Sequence, residues 1–592
     1  MTIKVQVPPN TPAGDAIWMR VDPFKTDERS VKMSPVAGSS GLWQASITAP
    51  AGTIFRYFYF RNEDWGKTEQ YAAFQSFFPS LREVVIANGA TVTESIAQWM
   101  DTPAVSNSTG IITGVASDET GNPLTGIWVS AGPHQVMTFS DGTYAIEGVP
   151  AGLCPVTFLA ENGEYRATMV TATVVAGRTV TQNVTMRSAA MSMVRFNVRV
   201  PSATPSGAVP RLTGDTYQLG IEQLYVPPDI TRVPDMTPAG SNQWTYSIQL
   251  GNGTCVNYAY TLGYWARNNE RDSGGSAVSR SLCVNGPTTV NDTVAAWKSP
   301  AQVPVSLNVV SPTGAEDALY LSTADDFGGS AALKMWRTGA GKASYTLYVN
   351  ASSVLQYRYV RNGDHFSPEI IGGQDAVSNT YRSLSVGVSG ASSNDTIAAW
   401  RHQMREPALS TVTTGLTVPI SPRAPDSAFQ TGVEVIDYWQ RAWLPLIVPT
   451  MARIKSKNAE WVQIPSISSY VDVENPTLER NGFPRQDLVQ HIRAAKSAGL
   501  KIVLKSFPFP NNFYGSYSNA WYDQFFSQLQ KEAVYHAALA QQEGVEMLML
   551  ANFNFGADGG PNDSPAARTY INSKWKGVIA AIRASGYTGR LT

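Results

Sequence analysis

Apolar and polar residues alternate from the first positions of this chain. Ile3, Val5 and Val7 are separated by polar residues, a period of two that predicts a half-buried strand. Further on, Tyr57 and Tyr59, and likewise Tyr357 and Tyr359, stand two apart and so share one face of a strand. The arginines between and after them are expected on the opposite face. Short β-branched runs broken by Gly, Pro, Asn and Ser fill the chain to about residue 402, the pattern of β-sandwiches. Asp141-Gly142 predicts a tight hairpin turn, because Gly supplies the positive φ. From about residue 411 the period changes. Apolar runs of strand type at Val433, Trp461, Lys501 and Met547 are separated by stretches of helical period, Arg485 to Ala498 and Trp521 to Gln542. Gly499 and Gly544 stand just before strands, and this alternation predicts parallel βα units.

One block recurs three times. It reads Arg56-Tyr57-Phe58-Tyr59-Phe60-Arg61-Asn62, then Leu81-Arg82-Glu83, then Ile96-Ala97-Gln98-Trp99. It returns as Asn257-Tyr258-Ala259-Tyr260, Ser279-Arg280-Ser281-Leu282 and Asp292-Thr293-Val294-Ala295-Ala296-Trp297. The third copy is Gln356-Tyr357-Arg358-Tyr359-Val360-Arg361-Asn362, Tyr381-Arg382-Ser383-Leu384 and Asp395-Thr396-Ile397-Ala398-Ala399-Trp400. The closing Trp is expected to fill the end of each sandwich core.

At 592 residues the chain holds several domains. Net charge is −1 with 15% charged residues, so no basic field for nucleic acid is implied. Low charge with abundant Gly, Ser, Thr, Pro and aromatics fits extracellular β modules, so a secreted or cell-surface location is expected. No run is apolar and long enough to span a membrane, and the opening residues enter a strand pattern without a signal peptide. Cys255 and Cys283 fall within one repeat, where a disulfide between neighbouring strands is expected; two buried free thiols are the alternative. Cys154 is read as a lone core residue.

The Tyr-x-Tyr strand, the later Arg and the terminal Asp-Thr-Val/Ile-Ala-Ala-Trp resemble starch-binding carbohydrate modules of family 20. That resemblance covers three segments, 1–101, 192–299 and 302–402, each a β-sandwich. It implies sugar contact in the loop after the Tyr-x-Tyr strand, where aromatic rings stack on the apolar face of a pyranose. This chain offers Trp65 with Glu69, Tyr264 with Trp265, and His365 with Phe366 and Glu369. None of the copies has Trp and Glu adjacent, as the family often does. Residues 108–188, with Gly121-Asn122-Pro123-Leu124 and Ser140-Asp141-Gly142-Thr143-Tyr144, resemble the carboxypeptidase regulatory-like sandwich, a spacer. Gln490-His-Ile-Arg-Ala-Ala-Lys-Ser-Ala-Gly-Leu-Lys-Ile-Val-Leu-Lys resembles the N-terminal half of (β/α)8 glycoside hydrolases of the mannanase- and cellulase-like clan. The expected fold class is therefore multidomain and mostly β, four β-sandwich domains in a row, followed by an α/β partial barrel at 411–592.

The barrel resemblance implies an acid/base Glu after an Asn at the end of the fourth strand, and a nucleophile on the seventh. Asn552 fits, but Phe553 stands where the Glu belongs, and the chain ends near a fifth strand. Hydrolysis is not expected. Weak catalytic candidates are Asp472 and Glu474 after the second strand, and Asp558 after the fourth; Asp558 and Asp563 read as turn formers. His402, His491 and His536 lack metal-ligand spacing, with the last two on helix faces. Glu532 and Glu543 read as solvated helix positions. No cofactor is implied. The expected partner is a polysaccharide or oligosaccharide, with self-assembly through the open edge of the half barrel a further option. The function read here is a secreted carbohydrate-active protein that binds an α-glucan-like polymer and carries an inactive barrel segment. The alternatives are a structural surface or filament protein, and a fragment of an active glycoside hydrolase continuing beyond Thr592.

Overall fold

The computed structural model describes all residues except 22–28, 70–80, 104, 106–107, 162, 206–207, 221–232, 263–267, 300, 313–316, 325–332, 363–366, 372–379, 402–429, 436–445, 471–473, 475, 480–484, 510–516 and 551–563. The chain is β-rich and divides into two compact units, Met1–Gln403 and Met404–Thr592.

Among the described residues the first unit contains four buried clusters, drawn from residues 3–99, 112–186, 194–297 and 303–400, with Tyr348 and Val233 reaching into their neighbours' cores. Three of the four share one topology. In the first, Thr2–Gln6 lies antiparallel to Leu42–Ser46 and parallel to Thr91–Ser95. Met191–Arg199 repeats this between Gln243–Gly251 and Thr288–Thr293, and Gln302–Val310 between Lys342–Asn350 and Ala391–Thr396. In each opposing sheet the Tyr-x-Tyr strand is Ile54–Arg61, Cys255–Thr261 or Val354–Arg361. Both tyrosines of every copy point into the core, as the period of two requires.

Two details depart from the sequence pattern. Arg61 is in phase with Tyr59, not opposed to it, and its guanidinium lies 5.3 Å from the Trp99 ring while pairing with Asp15 and Asp101. The odd positions of this strand all face inward, and Arg61 reaches the sandwich end where carboxylates are available. The Asp141-Gly142 turn exists, with Gly142 at φ +72°, but it joins strands of different sheets. His134–Met137 and Thr143–Pro150 therefore form a corner, not a hairpin. A Cβ on Gly142 would sit 2.5 Å from the Ala116 carbonyl oxygen, so the corner packs on a third strand.

Among its described residues the second unit holds one sheet in which Gly432–Glu434, Trp461–Tyr470, Lys501–Phe509, Met547–Leu550 and Arg590–Leu591 run parallel in chain order. Helices Ile447–Ser456, Arg485–Ser497, Asn519–Gln542 and Pro565–Ala584 alternate with them. Gly499 and Gly544 adopt φ +72° and +62° after the second and third of these helices, closing each with the left-handed residue that lets the chain turn back to the sheet.

Candidate functional site

The repeated motif folds into a buried ion cluster. Pairing sets Tyr57 opposite Arg82, Tyr258 opposite Arg280, and Tyr357 opposite Arg382. Each arginine then reaches two carboxylates. Arg82 binds Glu69 and Glu94, both at 2.7 Å. Arg280 binds Glu270 at 2.8 Å and Asp292 at 3.1 Å. Arg382 binds Glu369 at 2.6 Å and Asp395 at 3.1 Å. Both tyrosine hydroxyls of each copy donate to the second carboxylate, at 2.5–2.9 Å. The first carboxylate accepts the backbone N–H of the second Tyr at 2.9–3.0 Å. Its own backbone bridges to the closing Trp. Trp99, Trp297 and Trp400 are all buried, and Trp99 and Trp297 donate to Thr11 and Thr204 at 2.9 Å.

The electrostatics follow from burial. Desolvation pushes the Glu69, Glu270 and Glu369 carboxyls up, against the pull of their arginines. Burial, and then Glu94, raises Tyr57 and Tyr59 well above the usual phenol range. Burial alone would lower Arg82, but Glu69 and Glu94 outweigh it and hold the guanidinium charged. These groups are donors and acceptors saturated by one another, which is the arrangement of a structural network.

The three clusters differ in cover. The Arg82 side chain is 2% exposed, whereas Arg280 and Arg382 are 22% and 24% exposed. In the first sandwich the second domain closes the cluster. Thr157 donates to the Glu83 carbonyl at 2.8 Å and Gln135 to the Leu81 carbonyl at 2.9 Å. Glu83 itself takes Arg56 at 2.7 Å and the Trp128 indole N–H at 3.1 Å. At the positions of Glu83, the other copies carry Ser281 and Ser383.

Against this geometry the proposed sugar-contact residues separate. Glu69 and Glu369 are 1% and 3% exposed, inside the sandwich as ion partners of Arg82 and Arg382; they do not face a ligand. Glu270 belongs to the same set, although it was not singled out from the sequence. Its signal was there: all three carboxylates follow the second Tyr by ten residues. Trp65 behaves differently. It lies on Asp64–Thr68 with 47% of its surface exposed. Its ring rests 5.3 Å from buried Phe58, and the Arg20 guanidinium lies 5.8 Å from its centroid. Asp64 and Lys67 pair beside it at 3.2 Å. Tyr264, Trp265, His365 and Phe366 lie outside the described residues.

Cys255 and Cys283 are joined as directly opposed residues of an antiparallel ladder, with a Cα separation of 4.0 Å, just under the roughly 4.4–6.8 Å usual for a disulfide. Cys154 is buried and free, its thiol pushed by burial up to about 12.

In the second unit, Asp472, Asn552, Phe553, Asp558 and Asp563 lie outside the described residues, and Glu474 is exposed in a bend. His491 and His536 do lie on helices, both buried. His536 bonds Ser466 at 2.8 Å and Ser506 at 3.0 Å, tying its helix to two strands. Glu532 and Glu543 are not solvated. Glu532 is 4% exposed and lies 3.8 Å from His536, while Glu543 takes Arg493 at 3.0 Å. Among the described residues no group of three or more His, Cys, Asp and Glu is placed to hold a metal, and no helix is long and apolar enough to cross a membrane.

No family model matches the chain. A stretch of 109 residues, 18% of the chain, is 31% identical to an amylopullulanase of Thermoanaerobacter thermohydrosulfuricus and spans 7% of that protein's length. A GH113 β-1,4-mannanase structure is 17% identical with a TM-score of 0.21, over 27% of this chain and 53% of that one. The Bacillus anthracis TIE protein is 11% identical with a TM-score of 0.14, over 67% of this chain and 68% of that one. The chain thus spans about half of the mannanase and a small part of the amylopullulanase to which it is similar.

Proposed function

We propose that this is a secreted, multimodular carbohydrate-active protein whose starch-binding-like sandwiches hold an α-glucan-like polymer, and whose barrel-like second unit is catalytically inactive. The carrying observation is Trp65: an indole left half exposed, seated on a buried Phe58 and flanked by Arg20, Asp64 and Lys67. An exposed aromatic ring with charged hydrogen-bonding groups around it suits a pyranose ring. The amylopullulanase similarity supports the same substrate class. The paired Cys255 and Cys283 support an oxidising compartment. Parallel strands in chain order, separated by helices, support the barrel reading of the second unit. Phe553 at the acid/base position supports inactivity, because Phe transfers no proton.

The test is native affinity electrophoresis in gels containing amylopectin. The intact protein is expected to be retarded, and Trp65→Ala to lose about 1–3 kcal/mol of binding, as for removal of one large apolar contact. The same preparation should turn over no aryl glycoside. Equal retardation of the variant, or reproducible turnover, would contradict the respective half of the proposal.

A further inference from the structure

A cleft opens where the first three domains meet. Ile54 and Arg56 enter it from the first sandwich, Trp128 and Tyr165 from the second domain, and Asp215 and Tyr217 from the third. Its floor is fixed. Arg56 is 3% exposed, held by a Glu83 carboxylate oxygen at 2.7 Å and by the Asp215 carbonyl at 3.0 Å. The Trp128 indole is anchored on the other Glu83 oxygen at 3.1 Å. One wall is as close as two chains can come, since a Cβ on Gly251 would lie 2.4 Å from the Gly163 carbonyl oxygen. The rim is partly open: Tyr165, Tyr217, Gln218 and Glu161 are all half-buried.

We propose that this cleft is a second saccharide site, taking one neutral hexose unit of an oligosaccharide. Two phenol rings supply apolar faces from two different domains. The Gln218 amide and the Glu161 carboxylate supply hydrogen-bond partners for ring hydroxyls, and the buried guanidinium of Arg56 lies beneath. Sites of this composition favour domain junctions. The proposal rests on the reading of the chain as carbohydrate-binding, and it differs from the Trp65 site in taking a short ligand in a cleft rather than a polymer on a surface. Because three domains build the cleft, occupancy should also raise the melting temperature of the first unit.

Maltotriose and mannotriose titrated separately into the intact protein, by calorimetry and by thermal melting, provide the test. At least one trisaccharide is expected to bind and raise the melting temperature. Tyr217→Ala should weaken it roughly tenfold, the loss of one stacking contact. Gln218→Leu, a rim change, tests the site again should Tyr217→Ala melt early. Trp65→Ala should reduce retention on polymer, and the Tyr217→Ala loss of trisaccharide affinity should persist in that background. Unchanged affinity in a well-folded Gln218→Leu and Tyr217→Ala pair would overturn the cleft. So would failure of the intact protein to bind either trisaccharide, and polymer retention would then show whether the Trp65 reading stands alone.

Discussion

In each of the three related sandwiches one arginine balances two carboxylates and two phenols, and burial sets how much that balance matters. Arg82 is the most enclosed. Replacing it with Met would leave Glu69 and Glu94 buried without their cation, a loss of about 3–5 kcal/mol. Arg382→Met should cost distinctly less, because that side chain is 24% exposed and water can take part of its role. Urea unfolding of the two variants against the parent checks the order; equal losses would refute it. The pH dependence has a definite sign. Burial raises Glu270 above the usual value of 4.5, so the folded state binds more protons than the unfolded one above that pH. The stability this group contributes is complete below about pH 4.5 and is lost as pH rises through its folded pKa. The cost of Glu270→Gln should therefore shrink between pH 4 and pH 7, measured as the difference in urea midpoint from the parent. A cost that grows with pH would mean that Arg280 outweighs burial. At this scale the motif was legible as Tyr, Arg and Trp in fixed order, but Glu69 and Glu369 were read outward. A carboxylate following an aromatic strand suits a sugar loop and an internal ion pair equally well, and only the burial of the pair separates them.

Among the elements, period was the strongest signal. The tyrosine strands, the helices around Leu488 and Phe525 and the parallel strands between them follow directly from it. Pro565–Ala584 was not read, although Ser564 caps it and Pro565 opens it, because its buried Ile571, Val578 and Ile582 are sparse. Ile447–Ser456 carries Pro449 within its first turn and has no side-chain cap, so little in its sequence announces it. Tight approaches were also invisible, since they depend on a strand distant in sequence. Gly390 is the sharpest case: at φ +107°, a Cβ there would lie 2.1 Å from the Pro304 carbonyl oxygen. Gly390→Ala must strain the backbone and push apart Gln302–Val310 and Ala391–Thr396, at about 1–3 kcal/mol or more. Calorimetric melting should show the loss in the third related sandwich, and an unchanged thermogram would contradict the packing described.

For the whole molecule, the sequence suggested four β-sandwich domains in a row without showing how they meet, and the first three are joined through charged and aromatic contacts. Arg56, Glu83 and Trp128 join the first two, and the Asp215 carbonyl adds the third. Such contacts link residues 45 to 159 positions apart, which no local pattern encodes. The fusion closes the Arg82 cluster and builds the cleft, so the repeats share a fold while differing in what their surfaces offer. The proposed sugar contacts of Trp65, Tyr165 and Tyr217 lie outside the repeated motif, which itself holds the sandwiches together. The most direct measurement is co-sedimentation of the intact protein with granular starch, alongside insoluble mannan and crystalline cellulose. The account predicts saturable depletion from solution by starch and little by the other two. A protein that stays in the supernatant with starch at every load would contradict it.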